Sequence, residues 1–586
     1  MRPVSETPRS PEDDALPPVP PALSPDPGPV SESATEATEA PAVAATPREA
    51  GAGMARGAGA GMARAAGLIS AATFLSRILG LVREQVFAAQ FGAGFSVDAF
   101  QVAFRVPNLL RDLFAEGAMS AAFVPTLTRT EKEKGREAAM RLANLVINFL
   151  LVVVSAICLV GILAAPWIVR FLAPGFASVP GKVELTTLMT QIMTPFLLLV
   201  SLAAAVMGVL NTRRIFFLPA VAPTMLNLAL IAAGYLIAPF MPRFGLEPIV
   251  GMAIGAVLGG LGQLLIQVPA LRREGYRWHP QVSFRDPGVL RMAALMAPAS
   301  IGIAAAQVNV FTSTFLASML AEGSVSWLNY AYRLMQLPIG LFGVAIATVT
   351  LAEVSRHAAA GNLADLKGTL SLSLRLVMLL TLPATLLLMA LARPIIALLY
   401  EHGRFGSFDT IQTSHALWAY ALGLAAFSGV RVMVPAFYSL GMARIPVTVS
   451  MCTIAATVLL YFPLMHLLEH MGLALAVSIG SVLNFIALFW MLRRKIGGLG
   501  GRRLAWAGAR MLLAAAVAAA AAAGVARVVE SVVGLRSTPE RALVVGLALA
   551  AAGVVYVGMC TFLRVEELKP LLGWTSRLFG GGRSRS

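Results

Sequence analysis

The sequence predicts an all-α polytopic membrane protein of about fourteen transmembrane helices: two pseudo-symmetric six-helix lobes and two further helices at the C-terminus. Three observations carry this. Apolar runs of about 20 residues recur from residue 65 to residue 563, each long enough to cross ~30 Å of hydrocarbon. Basic residues collect in alternate loops. The chain also repeats itself at an offset of about 227 residues.

Composition sets the class. The 586 residues are 57% hydrophobic and 13% charged, with mean hydropathy +0.76. Soluble domains carry about 25% charged residues, and a β-barrel would show alternating ten-residue segments instead. The net charge of +16 would suggest nucleic-acid binding in a soluble protein. Here the positive-inside rule accounts for it, and no nucleic-acid partner is expected. Cys158, Cys452 and Cys560 lie in apolar runs and read as inert core thiols. The histidines show no metal-ligand spacing, so no metal is expected.

Taken in order, residues 1–63 are rich in Pro, Ala, Glu, Ser and Thr. They lack the apolar core of a signal peptide and read as a disordered cytoplasmic tail. Helices follow at 65–91, 96–127, 142–172, 184–211, 215–240 and 247–271, forming a first lobe over 64–272. The second lobe, 273–495, holds helices at 288–319, 324–355, 364–400, 408–440, 444–466 and 471–492. Residues 496–565 hold the last two helices, 504–526 and 541–563, and 566–586 form a basic cytoplasmic tail. One set of loops holds Arg129, Lys132, Lys134, Arg136 and Arg141, then further clusters ending at Arg493, Arg494 and Lys495. The alternate loops hold few basic residues, among them Lys182 and Arg404. Both termini are therefore expected in the cytoplasm.

The repeat is seen where Phe95-Ser-Val-Asp-Ala-Phe-Gln-Val-Ala-Phe-Arg105 aligns with Gly323-Ser-Val-Ser-Trp-Leu-Asn-Tyr-Ala-Tyr-Arg333. Pro166 aligns with Pro394, and Pro219 with Pro446. An offset of about six helices, an even number, makes the repeats parallel, with a substrate site expected between the lobes. The run LLAAAVAAAAAAGVA (512–526) suits close small-residue helix packing or a groove for a lipid chain.

Charge inside membrane helices is costly and marks cavities or partner charges. The first helix carries Ser76-Arg-Ile-Leu-Gly-Leu-Val-Arg-Glu84, with Arg77 and Glu84 on one face and Arg83 beside it. On the second, Asp98, Gln101, Arg105, Asn108 and Asp112 form one stripe at helical period, extended by Arg111 and Glu116. The eighth carries Tyr330, Tyr332, Arg333 and Gln336 ahead of Pro338. These charges are either structural ion pairs or an anion site. Arg77, Arg83, Arg105, Arg111 and Arg333 outnumber the acids at the same depth, and guanidinium groups grip phosphate bidentately. The seventh helix has Gln307 and Asn309 but no charge at the matching positions, so the anion site is expected mainly on the first lobe, with Arg333 reaching in from the second. Glu84 reads as the local counter-charge of Arg77 and Arg83. No nucleotide-binding motif is present, and no cofactor is expected.

Three segments carry a resemblance: SRILGLVRE, FGAGFSVDAFQVAFRVPNLLRDLFAEGAMSAAFVPTL and GSVSWLNYAYRLMQLPIGLFGVAIATV. They resemble the lipid II flippase family (MurJ, also called MviN) of the multidrug/oligosaccharidyl-lipid/polysaccharide exporter superfamily, over about residues 65–565. The resemblance implies two lobes in a V shape and a groove for a polyprenyl tail on the last two helices. It implies a non-enzymatic flippase of the bacterial inner membrane, moving undecaprenyl-pyrophosphate-linked peptidoglycan precursor from the cytoplasmic to the periplasmic leaflet for cell-wall synthesis. Its expected partners are lipid II, membrane lipids and the cell-wall synthesis machinery. It implies substrate-binding roles for Arg77, Arg83, Arg111 and Arg333, with Asp98, Asn108 and Glu116 also on family motif positions; Arg105 and Ser76, beside them on the charged helices, are further candidates for the site. The family commonly has Asp where Tyr332 stands, which leaves Arg333 without a local acid partner. Helices 288–319 and 444–466 contain no Asp or Glu to hold the sodium ion that some members use. The alternative functions are a flippase for another undecaprenyl-linked glycan, a drug or cation antiporter of the same superfamily, or a scaffold.

Overall fold

The computed structural model describes residues 72, 74–111, 118–535 and 537–568, and every described segment is helix, turn or loop. The N-terminal tail, Asp112, Glu116 and most of the basic C-terminal tail lie outside the described residues. Nine described helices are long and apolar enough to cross a membrane, or ten if the bent pair Ser407–Ala421 and Leu424–Ser439 is one span.

The first lobe is built from α1 (74–91), α2 (Phe95–Arg111), α3 (Ala118–Leu172), α4 (Lys182–Met193), α5 (Pro195–Thr212), α6 (Phe217–Val221), α7 (Thr224–Leu236), α8 (Val250–Leu265) and α9 (Val268–Arg273). The second contains α10 (Pro287–Ser318), α11 (Ser324–Pro338), α12 (Val344–Ala359), α13 (Leu363–Ala390), α14 (Ala392–Tyr400), α15 (Ser407–Ala421), α16 (Leu424–Ser439) and α17 (Arg444–Ile496). The C-terminal pair is α18 (Gly501–Val533) and α19 (Thr538–Phe562). Two expected loops are instead sharp breaks within continuous helix: Gly135 (φ 84°) divides α3 and Glu469 (φ 50°) divides α17. A single residue at positive φ kinks the chain there, so at each point two helices meet at a break rather than across a longer loop.

Capping chemistry starts several helices. Asp286 accepts from the backbone N–H groups of Gly288 and Val289 at 2.8 and 3.3 Å, with Pro287 in the first turn of α10. Ser537 and Glu540 form a capping box at α19. The link before α10 is strapped to α3 by two amides one turn apart. Asn144 and Asn148 both donate to the His279 carbonyl, at 2.8 and 2.6 Å, and Asn144 also accepts from the buried Tyr276 hydroxyl at 3.0 Å. In the C-terminal pair, Ala518, Ala522 and Ala526 of α18 form a buried seam with Val544, Ala548 and Ala552 of α19. The alanine run therefore serves close packing. Of the three cysteines, Cys158 and Cys560 are buried. Cys452 is exposed on α17, so the apolar run around it does not place it in the core.

The repeat appears as contact between equivalent residues. α2 and α11 each start just after a glycine at positive φ, Gly94 (131°) and Gly323 (100°). Asn329 donates to Gln101 at 2.8 Å, and Ser326 donates to Asp98. These pairs lie 228 residues apart. Residues matched by the repeat thus face each other across the boundary between the lobes, as a parallel repeat requires. At the end carrying the sparsely basic loops the backbones touch. A Cβ on Gly175 would lie 2.1 Å from the Ser318 carbonyl oxygen, and one on Gly403 would lie 2.1 Å from that of Ala89.

Candidate functional site

Arg83 and Glu84 are consecutive on α1 and both buried, at 7% and 3% exposure. An arginine–glutamate pair removed from water needs close geometry and further hydrogen bonds to persist, and both are present. Arg83 Nη2 lies 2.5 Å from Glu84 Oε1, and Arg83 Nη1 donates to Asn227 Oδ1 of α7 at 3.0 Å. Asn227 donates in turn to the Ser76 carbonyl at 3.0 Å, which fixes α1 against α7. From α11 of the other lobe, Arg333 Nε lies 3.0 Å from the same Glu84 Oε1 and donates to Asn329 Oδ1 at 2.9 Å. One carboxylate oxygen therefore holds an arginine from each lobe. The other, Glu84 Oε2, is buried with no hydrogen-bond partner.

These residues line a cavity of about 660 Å³. Arg77, Arg83, Arg105 and Arg111 reach it from the first lobe, Arg333 and Arg431 from the second, and Glu84 is its one acidic lining residue among those described. Pro338 ends α11 in a π-helical turn, Ile339–Gly343. Single π turns often mark functional sites. A Cβ at Gly340 would lie 1.7 Å from Arg77 Nη1, so the Arg77 guanidinium rests on bare backbone of the opposite lobe. Such a set of donors in a low-dielectric cavity suits a multivalent, phosphate-type anion.

The structure thus gathers Ser76, Arg77, Arg83, Arg105, Arg111 and Arg333 in one cavity. It sets two other candidates apart, and a third lies outside the described residues. Asp98 does not line this cavity. It is 1% exposed, lies 3.1 Å from Lys182 Nζ, and accepts from Gly323 N at 2.9 Å, Ser326 N at 2.9 Å and Ser326 Oγ at 2.6 Å. It therefore ties the lobes together at the start of α11, where the helix presents otherwise unsatisfied N–H groups. Asn108 is half-buried on α2 and absent from the cavity lining, and Glu116 lies outside the described residues. Three readings of charge are corrected. Arg333 has an acid partner, Glu84, supplied from the other lobe, and Glu84 pairs with Arg83 and Arg333 rather than with Arg77. Lys182, which reads as a loop charge, is 2% exposed against Asp98, with its ammonium 4.4 Å from the Phe176 ring centroid.

Sequence reasoning also missed Arg431 and Asn227. Arg431 is the one charge in α16, the same signal that singled out Arg333. Asn227 carries no charge and had no such signal.

A family model described as "Lipid II flippase MurJ" matches residues 87–563. The lipid II flippase MurJ of Burkholderia cenocepacia is 36% identical over 431 residues, covering 73% of this chain and 83% of that protein. A probable lipid II flippase MurJ of Vibrio cholerae is 36% identical over 459 residues, covering 77% and 86%. A solved structure described as lipid II flippase MurJ in an inward closed conformation superposes with a TM-score of 0.69 at 25% identity, covering 85% of this chain and 99% of that one. An inward-facing multidrug transporter of the MATE family superposes with a TM-score of 0.59 at 15% identity, a likeness of fold alone.

Proposed function

The chain belongs to the lipid II flippase (MurJ) family, and from that premise we propose that it carries lipid II across the bacterial inner membrane, from the cytoplasmic to the periplasmic leaflet, without chemical change. The observation that carries this reading is the cavity itself, lined among the described residues by six arginines from two lobes and one glutamate. The diphosphate of lipid II is a polyanion able to accept from several guanidinium groups at once. Arg83 and Arg333 already converge on the Glu84 carboxylate. A diphosphate offers them the same charge, so its arrival replaces an internal tie between the lobes with a tie through the substrate.

The remaining steps follow from where the lobes meet. The sparsely basic end is held shut by Asp98 and by close backbone approach at Gly175 and Gly403. The positive-inside rule puts that end in the periplasm and both termini in the cytoplasm. The head group enters from the cytoplasmic side, and rocking of the lobes releases the Asp98 tie and exposes the cavity to the periplasm. The polyprenyl tail stays in hydrocarbon, along the outward apolar faces of the C-terminal pair, where Leu512, Leu513, Leu543 and Leu547 are exposed. Depleting the protein from cells is expected to reduce periplasmically exposed lipid II several-fold while total lipid II rises. Measuring both pools by periplasmic cleavage of the head group checks this, and an unchanged exposed pool would refute the reading.

A further inference from the structure

We infer that the second-lobe wall of the cavity is a carbohydrate subsite, with Tyr332 as the stacking platform for the sugar bonded to the diphosphate. This deepens the proposed function and rests on it. The two walls differ in chemistry. The first lobe supplies four of the arginines, whereas the second supplies tyrosines and amides: Asn309, Asn329, Tyr332, Gln336, Tyr420 and Tyr461. Neutral donors and acceptors interleaved with aromatic rings hold a phosphate less strongly than guanidinium groups do. They fit a pyranose, whose hydroxyl and acetamido groups hydrogen-bond at the rim and whose apolar C–H face lies on the negative face of an aromatic ring.

Tyr332 is the ring placed to do this. It is 36% exposed, whereas Tyr420 and Tyr461 are 4% and 0%. Its orientation is fixed from two directions. Tyr420 meets it edge-on, with centroids 5.4 Å apart at 65°, and Gln336 Nε2 donates to its hydroxyl oxygen at 2.7 Å. Behind it the Tyr461 hydroxyl donates to Asn309 Oδ1 at 2.5 Å. A rigid, pre-oriented aromatic offers contact area at low entropic cost. Tyr332 also immediately precedes Arg333, and adjacent α-carbons are about 3.8 Å apart. Both side chains line the same cavity, so a phosphate held by Arg333 leaves the sugar attached to it within reach of the Tyr332 ring.

A second, independent observation points to a hydroxylated ligand. Tyr400 lines the same cavity, is 0% exposed, and its hydroxyl has no hydrogen-bond partner. Buried phenols ordinarily have one, and the hydroxyl or acetamido groups of a sugar would supply it.

Two ligands separate the subsite from the anion site: lipid II, and undecaprenyl diphosphate, which has the same diphosphate and tail but no sugar. With purified protein in detergent, Tyr332→Ala is expected to weaken lipid II binding about tenfold and to leave undecaprenyl diphosphate binding unchanged. Tyr332→Phe keeps the ring and is expected to lose no more than about threefold on lipid II. Arg333→Ala is expected to weaken both ligands. If the wild-type protein binds lipid II and Tyr332→Ala binds it equally well, or loses both ligands alike, the subsite is overturned while the proposed function stands. If the wild-type protein binds neither lipid, the proposed function fails and the subsite with it.

Discussion

Arg83→Ala is expected to abolish rescue of cells depleted of the wild-type protein, with lipid II translocation reduced about 100-fold or more. The magnitude follows from what the side chain does. Charge-assisted hydrogen bonds contribute about 1.5–3 kcal/mol each, and Arg83 offers a planar fork of donors to an anion in the cavity it lines. It is also the residue that ties Glu84 to Asn227, and so α1 to α7. Breaking a buried ion pair costs about 3–5 kcal/mol when a partner is left uncompensated. Arg333 still holds Glu84 Oε1, so the lower end of that range is expected. Thermal unfolding of the purified variant measures the structural part, and the exposed lipid II pool measures the transport part. Arg83→Lys separates them further. It keeps the charge but not the fork, so it should recover most of the stability and only a small part of the transport.

Asp98→Ala is expected to open the sparsely basic end of the protein. The carboxylate is the shared acceptor for Lys182, Gly323 and Ser326, and its removal leaves a 2% exposed lysine without its anion and two backbone N–H groups of α11 without a partner. At about 3 kcal/mol or more against the closed arrangement, the ratio of closed to open molecules falls by roughly 100-fold. A cysteine probe reads this directly. Ser324, 1% exposed in the closed arrangement, is replaced by Ser324→Cys in a cysteine-free background, and labelling by a bulky maleimide is timed in detergent. Labelling at least tenfold faster in the Asp98→Ala protein is expected, and equal rates would show that Asp98 does not hold this end shut. Asp98→Asn keeps an acceptor but no charge and should fall between the two.

Much of the architecture was legible because membrane proteins expose their logic in one dimension. Apolar runs mark the spans. The offset of about 227 residues correctly brought Asp98 to Ser326 and Gln101 to Asn329. The polar stripe on α2 was equally legible as a stripe. Its division was not. Asp98 and Arg105 lie two turns apart on one face, yet the first is sealed between the lobes and the second lines the cavity. Helical period fixes a residue's face but not its depth along the boundary between lobes, and depth decides between a structural tie and a ligand contact. Glu84 and Arg333 are far apart in sequence, so nothing local announced their pairing. Lys182 was hidden for the opposite reason. Its place at the start of α4 looks like a loop, and only the folding of residues 174–178 beside it, with Phe176 against its ammonium, buries it against Asp98.

On the proposed function, this chain moves lipid II across a bilayer through the arginine cavity. The most direct measurement reconstitutes the purified protein in vesicles carrying lipid II on one leaflet, with a membrane potential imposed in either polarity. Head groups reaching the opposite leaflet are counted over time by an impermeant hydrolase. Transfer is expected with the wild-type protein, and transfer no faster than in protein-free vesicles with Arg83→Ala. Wild-type protein of native stability that leaves lipid II on its original leaflet under both polarities would contradict it.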